Sequence, residues 1–184
     1  MARTRRMALL LAVPFFAAGV WAAAGSANEI ESQVKAAYLY KFASYVEWPA
    51  AVFVQADTPL AIGILGAEAI AAELGNLKNA QPMQNRALEV KRLKPGEALT
   101  GVQILFIGRQ ENGRLKSLLD SIQSQSVLVV TESAGALDAG SVINFLPVGD
   151  RIRFEVSVQN AERSGLKISA RLLSVAQKIE PRRP

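Results

Sequence analysis

The sequence has no cysteine and no histidine. Without Cys there is no disulfide to staple the fold, no thiol nucleophile and no lipid-attachment residue. Without His there is no Ser-His-Asp triad, and no metal site of His or Cys ligands can form. Ser-Lys and carboxylate chemistry stay open in kind, but the 16 acidic residues are scattered and form no paired-carboxylate motif. A Walker motif is absent, and Gly63-x-x-Gly66 lacks the third glycine and the spacing of a dinucleotide fingerprint. Aromatics make up only 7% of the chain and gather on one stretch, so no spread of rings is available to stack bases. Nothing in the pattern calls for a cofactor.

What is present starts with a secretory pattern. Arg3, Arg5 and Arg6 precede an apolar run from Met7 to about Ala24, followed by small residues up to Ala27. That is the charged, hydrophobic and cleavage order of an export signal. A retained membrane anchor is the competing reading, and Pro14, Gly19 and the lack of a stop-transfer pattern speak against it. Cleavage is expected at Ala27–Asn28, with Ala24–Gly25 as the alternative. Removing 27 of 184 residues leaves 157, enough for one domain with a proper core. Three of the 21 basic residues go with the signal, so the mature chain is close to neutral (18 basic against 16 acidic) and has no basic patch for nucleic acid. No Asn-x-Ser/Thr site occurs, which suits a bacterial envelope protein. The expected layout is a signal over 1–27, a single domain over 28–179 and a tail over 180–184.

The mature chain opens on VKAAYLYKFASYVEWP, Val34 to Pro49, which holds all three tyrosines. Tyr38, Phe42 and Tyr45 recur at helical spacing and form an apolar stripe, widened by Val34, Leu39 and Val46. Lys35, Lys41, Ser44 and Glu47 are left for the rim. Asn28 and Glu31 have capping-box spacing, and Pro49 is expected to end the helix at Trp48. An aromatic stripe of this kind is read first as core; the other reading turns part of it toward a partner.

Downstream, LAIGIL (60–65), QILFI (103–107) and VLVV (127–130) are short, continuously apolar runs, as in strands covered on both faces. Helical patterns over 67–77 and 113–124 lie between them, and 87–93 alternates like a half-exposed strand. Residues 78–86 read as loop. Alternating strands and helices predict a parallel sheet. The last third changes character. A strand over 142–146, a turn at Val148-Gly149-Asp150 and a strictly alternating strand over 151–158 make a hairpin. A final helix is expected from about Ala161 or Gly165 to Lys178, with Ile168, Leu172, Val175 and Ile179 inward. The fold class is therefore α/β: a sandwich of a mixed, mainly parallel sheet flanked by helices, with a C-terminal antiparallel hairpin and final helix.

Two sets of residues are candidates for function. In open parallel sheets ligands bind beyond the carboxyl ends of the strands. Those ends carry Gly66, Gly108, Glu132 and Ser133, where Glu132 and Ser133 can hydrogen-bond a small polar ligand or simply build the loop. The second set is the polar face of the hairpin, Arg151, Arg153 and Glu155, with Arg171 and Lys178 outward on the closing helix. A plain solvated face is the alternative there. Arginine is favoured at interfaces, and a domain with no catalytic kit acts by binding, so a partner surface is placed on this set first.

The blocks VKAAYLYKFASYVEWP, LAIGILG, QILFIG, VLVVTES-x-GAL, GSVINFL, IRFEVS and SGLKISARLLSVAQKI fall in order from about Glu29 to Ile179. In that order they resemble the YfiR family. The resemblance implies a periplasmic regulator and not an enzyme. Its partner would be the periplasmic part of a membrane diguanylate cyclase, held inactive so that cyclic di-GMP and biofilm formation stay low. It further implies an OmpA-like outer-membrane lipoprotein that can sequester the regulator, and a homodimer. Disulfides known in the family have no counterpart here, so thiol-based control cannot operate in this chain. The alternative function is a periplasmic small-ligand sensor or solute-binding accessory domain using the loops after the strands.

Overall fold

The computed structural model describes residues 21–77, 86–123 and 125–180, with side chains from Ala27 onward. Most of the expected signal (1–20), most of the expected loop over 78–86, Ser124 and the end of the tail (181–184) lie outside the described residues. Helix α1 spans Trp21–Phe42. It runs through Asn28 without a break, so the expected capping box does not start it. It also stops earlier than Pro49 requires, passing through a 3-10 turn at Ala43–Tyr45 into the short strand β1, Val46–Glu47.

The sheet follows. Strands β2 (Leu60–Leu65), β4 (Ile104–Ile107) and β5 (Leu128–Thr131) are buried throughout, as their unbroken apolar runs require. Strand β3 (Leu88–Leu93) alternates because it is an edge. Helices α2 (Glu68–Asn76), α3 (Leu115–Ile122) and the short α4 (Ala136–Ala139) connect them. Strand β6 (Ile143–Val148) pairs parallel with β5, and β7 (Arg151–Ser157) turns back antiparallel on it with Phe145 opposite Phe154. The seven-stranded order is β3-β2-β4-β5-β6-β7-β9, where β9 (Lys178–Glu180) lies parallel to β7. The chain is thus an α/β sandwich on a mixed, mainly parallel sheet.

Each face of the sheet has its own apolar cluster. On one, Ile62, Phe106, Val130, Phe145 and Phe154 meet Leu39 and Phe42 of α1 with Ile70 and Leu74 of α2. On the other, Leu105, Ile107 and Val129 meet Leu115, Leu119 and Ile122 of α3. Phe42 is the centre of the first cluster: its ring lies 5.2 Å from Phe154, edge-on, and 5.9 Å from Phe145, stacked. Such ring pairs contribute roughly 0.5–1.5 kcal/mol each beyond the area they bury.

The opening helix departs from the expected stripe at several positions. Lys35, assigned to the rim, is 2% exposed, and Val34, assigned to the core, is exposed. Tyr38 and Tyr45 are half-buried, and only Phe42 of the three ring positions is fully inside.

The closing segment is not one helix. It is divided into α5 (Val158–Arg163), β8 (Lys167–Ile168), α6 (Ala170–Ser174) and β9. Gly165 adopts φ +69, a conformation that ends a helix. Ser157 and Ser169 each accept a backbone N–H three residues on, from Asn160 and Leu172, so each opens its own helix. Ser157 continues the alternation of Arg151, Arg153 and Glu155 on the hairpin's polar face, yet it is buried in this capping role. The break also reassigns the expected stripe: Leu172 is buried, but Val175 and Ile179 are exposed. Strand β8 instead straps the chain end to the exit of α1, pairing antiparallel with β1 through Val46 and Ile168. The sheet reaches Glu180, which pairs with Ser157, one residue into the expected tail.

Candidate functional site

Parallel strands β2, β4 and β5 deliver their carboxyl ends to one edge of the sandwich, and α1 crosses that edge. Glu31 and Lys35, one turn apart, point from the helix into it. The Lys35 ammonium donates to the carboxylates of both Glu31 and Glu132. Arg109, just past β4, closes the ring: its backbone N–H donates to Glu132 Oε1 at 3.0 Å and its Nη2 to Glu31 Oε1 at 3.1 Å. The Lys35 and Glu132 side chains are 3% and 9% exposed. The hydrogen bond from Lys35 is the main cause holding the Glu31 carboxyl below its ordinary value; partial burial opposes it, and the charges of Lys35 and Arg109 add to it.

Gly66 and Gly108 let the strand ends approach. A Cβ on Gly108 would fall 2.2 Å from the Gly66 carbonyl oxygen. Ser133 is committed internally, its N–H donating to Asn144 Oδ1 at 2.9 Å and its hydroxyl bonded to Asn112. The four strand-end residues are therefore adjacent, but Glu132 and Ser133 already have protein partners. What stays open is a cleft of about 300 Å³, lined by Glu31, Lys35, Gly66, Arg109 and Glu132 among others.

The hairpin set divides in two. Arg151 and Arg153 border a hollow of about 620 Å³ whose opposite wall is α1, with Ile30, Val34 and Tyr38. Arg171 borders a second hollow of about 170 Å³ that also contains Tyr38, together with Lys41, Tyr45 and Val175. Glu155 and Lys178 do not line these hollows. They face each other across β7 and β9 in register, and Glu155 accepts a hydrogen bond from Asn144 Nδ2 at 2.9 Å. The Lys178 ammonium bonds to Glu180 at 3.1 Å. That bond and the Glu180 charge hold the Lys178 amine above its ordinary value, with Glu155 and Asp138 adding to the effect.

A scan against protein families matches residues 32–177 to the YfiR/HmsC-like family. The chain belongs to that family. The match runs from α1 to the approach to β9 and so takes in both candidate regions. The YfiR/HmsC-like family is a regulatory, non-catalytic one, connected with diguanylate cyclase control. A search of curated proteins finds no match. Among the described residues no group of three His, Cys, Asp or Glu could hold a metal, and no helix is long and apolar enough to cross a membrane.

Sequence reasoning missed Lys35, Glu31 and Arg109 as a unit, and it missed α1 as a wall of the hairpin hollows. The Glu31-x-x-x-Lys35 spacing was a readable signal for the pair. The third and fourth members come from strand ends 78 and 97 residues away in the chain, beyond the reach of any local pattern.

Proposed function

We propose that this protein is an exported regulator that binds the periplasmic part of an inner-membrane diguanylate cyclase and holds it inactive. The observation that carries this reading is the family match over residues 32–177. The signal over 1–27 is removed, and cleavage at Ala27–Asn28 leaves α1 to begin at Asn28. The regulator works as a homodimer in the periplasm, and an OmpA-like outer-membrane lipoprotein can draw it away from the cyclase. Partner contact falls on the hairpin set, Arg151, Arg153, Glu155, Arg171 and Lys178. Two features support that placement. The hairpin projects Arg151 as an exposed cation and Arg153 half-buried, and guanidinium groups are suited to bidentate contact with carboxylates. Deleting the gene raises cellular cyclic di-GMP, and restoring it lowers the level again; an unchanged level in the deletion strain would sink the proposal.

The second reading, a sensor of a small polar ligand, is favoured by the 300 Å³ cleft at the strand ends. Its charges alternate in sign, but most are already paired within the protein. A metabolite that binds there raises the melting temperature by mass action. A thermal-shift screen of periplasmic metabolites with no response removes this reading.

A further inference from the structure

The large apolar side chains left exposed include Ile30, Val34 and Val175, at 60%, 36% and 61%, and these three share one region. Ile30 and Val34 lie in the hollow beside the hairpin, Val175 in the hollow beside α6, and the Tyr38 ring belongs to both. Laid end to end along one flank of α1 with Tyr38 between them, the two hollows form an interrupted trough, walled on the far side by β7 and α6. From Ile30 to Lys41 it follows twelve residues of helix, roughly 17 Å end to end at the usual rise. Its floor is apolar and its rim is cationic. Among the described residues, Lys41, Arg153 and Arg171 have no carboxylate within ion-pair distance. Of the acids at the far end, Glu31 is held by Lys35 and Arg109, and Asp150 lies 4.0 Å from Arg151.

We propose that this trough takes an amphipathic helix of about three turns from a protein partner, apolar on the face it lays down and acidic along its edges. The length, the apolar floor and the unpaired cations on the rim select that occupant. A second copy of this chain is disfavoured because a two-fold contact would set the same cations against each other. A membrane surface is disfavoured because the apolar side chains line a concavity, whereas interfacial binding needs them on a protruding face. The inference rests on the reading of the protein as a protein-binding regulator and names the shape and charge of what it binds.

The test places a photo-crosslinking phenylalanine analogue at Val34 and at Val175 in the full chain, made at native level in its own envelope, with Lys116 on the opposite sheet face as control. The crosslinked peptide is then sequenced. The expected adduct is one peptide, captured from both positions and not from Lys116, with apolar residues at helical spacing and net negative charge. An adduct to a second copy, an adduct to lipid, a basic or non-amphipathic peptide, or no adduct at either position overturns the proposal. Once that partner segment is made as a peptide, Val34→Asp, Arg153→Glu and Arg171→Glu should each weaken binding on the order of tenfold, with melting curves unchanged. Unchanged affinity in all three also overturns it. Failure of the cyclase reading stays separate: cyclic di-GMP unmoved by gene deletion, with the acidic helix still captured, removes the cyclase and leaves the trough. Restoration of low cyclic di-GMP by trough variants as well as by wild type does the reverse.

Discussion

Replacing Lys35 by Met tests the least expected feature of the structure. The substitution keeps most of the side-chain volume and removes the charge. Val34, its neighbour, is 36% exposed while Lys35 is 2% exposed, so the two positions should respond in opposite proportion to their hydrophobicity. With the ammonium gone, the Glu132 carboxylate, 9% exposed, loses its main counter-charge. Breaking a buried pair by removing one partner costs about 3–5 kcal/mol. Glu132 keeps the Arg109 N–H at 3.0 Å and the Arg109 Nε at 3.6 Å, which places the expected cost at the low end, about 3 kcal/mol. For a domain of this size that is a fall of roughly 6–12 °C in melting temperature. Val34→Ala should cost below about 1 kcal/mol. Urea denaturation followed by circular dichroism measures both. Adding Glu132→Gln to Lys35→Met should recover part of the loss, because the second change removes the stranded charge. A Lys35→Met variant no less stable than Val34→Ala, or a double variant whose losses simply add, would show that Lys35 is a surface residue after all.

The other predictions concern the same core and site. Phe42→Ala, at the centre of the aromatic cluster, should cost about 3–5 kcal/mol, and Tyr38→Ala clearly less because Tyr38 is only half-buried; equal losses in melting experiments would contradict the assigned facing of α1. Gly108→Ala should be strongly destabilising or insoluble, since its methyl group would meet the Gly66 backbone rather than a side chain able to move aside; a variant with wild-type melting would refute that close approach. Glu155→Arg should cost about 1 kcal/mol by taking an acceptor from the buried Asn144 amide, with a partner-binding loss in a pull-down on top of it. Stability should also fall in acid. The folded Glu31 carboxyl sits below its ordinary value near 4.5, so its contribution is complete above that pH and disappears as pH falls through the lower folded value. Melting curves of wild type and Glu31→Gln should therefore converge toward low pH, and a gap that widens in acid would reverse the sign.

The sheet was legible in the sequence because its signals are local. Three unbroken apolar runs became three fully buried strands, and the alternation read over 151–158 became the hairpin strand β7, which ends one residue earlier at Ser157. The alternation of 87–93 showed a half-exposed strand, and the structure adds that β3 is an edge. The closing segment misled for an instructive reason. Its apolar spacing is helical, but Gly165 and the Ser169 cap cut it into two helices, and pattern alone does not weigh a terminator against a stripe. The Lys35 error has a different origin. Hydrophobicity ranks lysine last for burial, and only partners arriving from distant strand ends reverse that ranking. Local chemistry therefore reveals elements, while the polar cluster and the trough exist only through tertiary assembly.

Those two features meet in α1. Lys35 and Val34 are consecutive residues, about 100° apart around the helix at 3.6 residues per turn. One faces the strand ends and the other the trough. The salt-bridge cluster fixes the helix over the sheet edge at Glu31 and Lys35, and Ile30, Val34 and Tyr38 on the same two turns form the trough wall. A rigid helix cannot shift at one set of positions without moving the other. The width of the docking trough is therefore set by how α1 is anchored at the strand ends, where the small polar cleft lies. The two candidate regions, separate in the sequence, thus share one helix: the pairing of Glu31, Lys35, Arg109 and Glu132, together with the core contacts of Leu39 and Phe42, holds the wall against which a partner helix would pack.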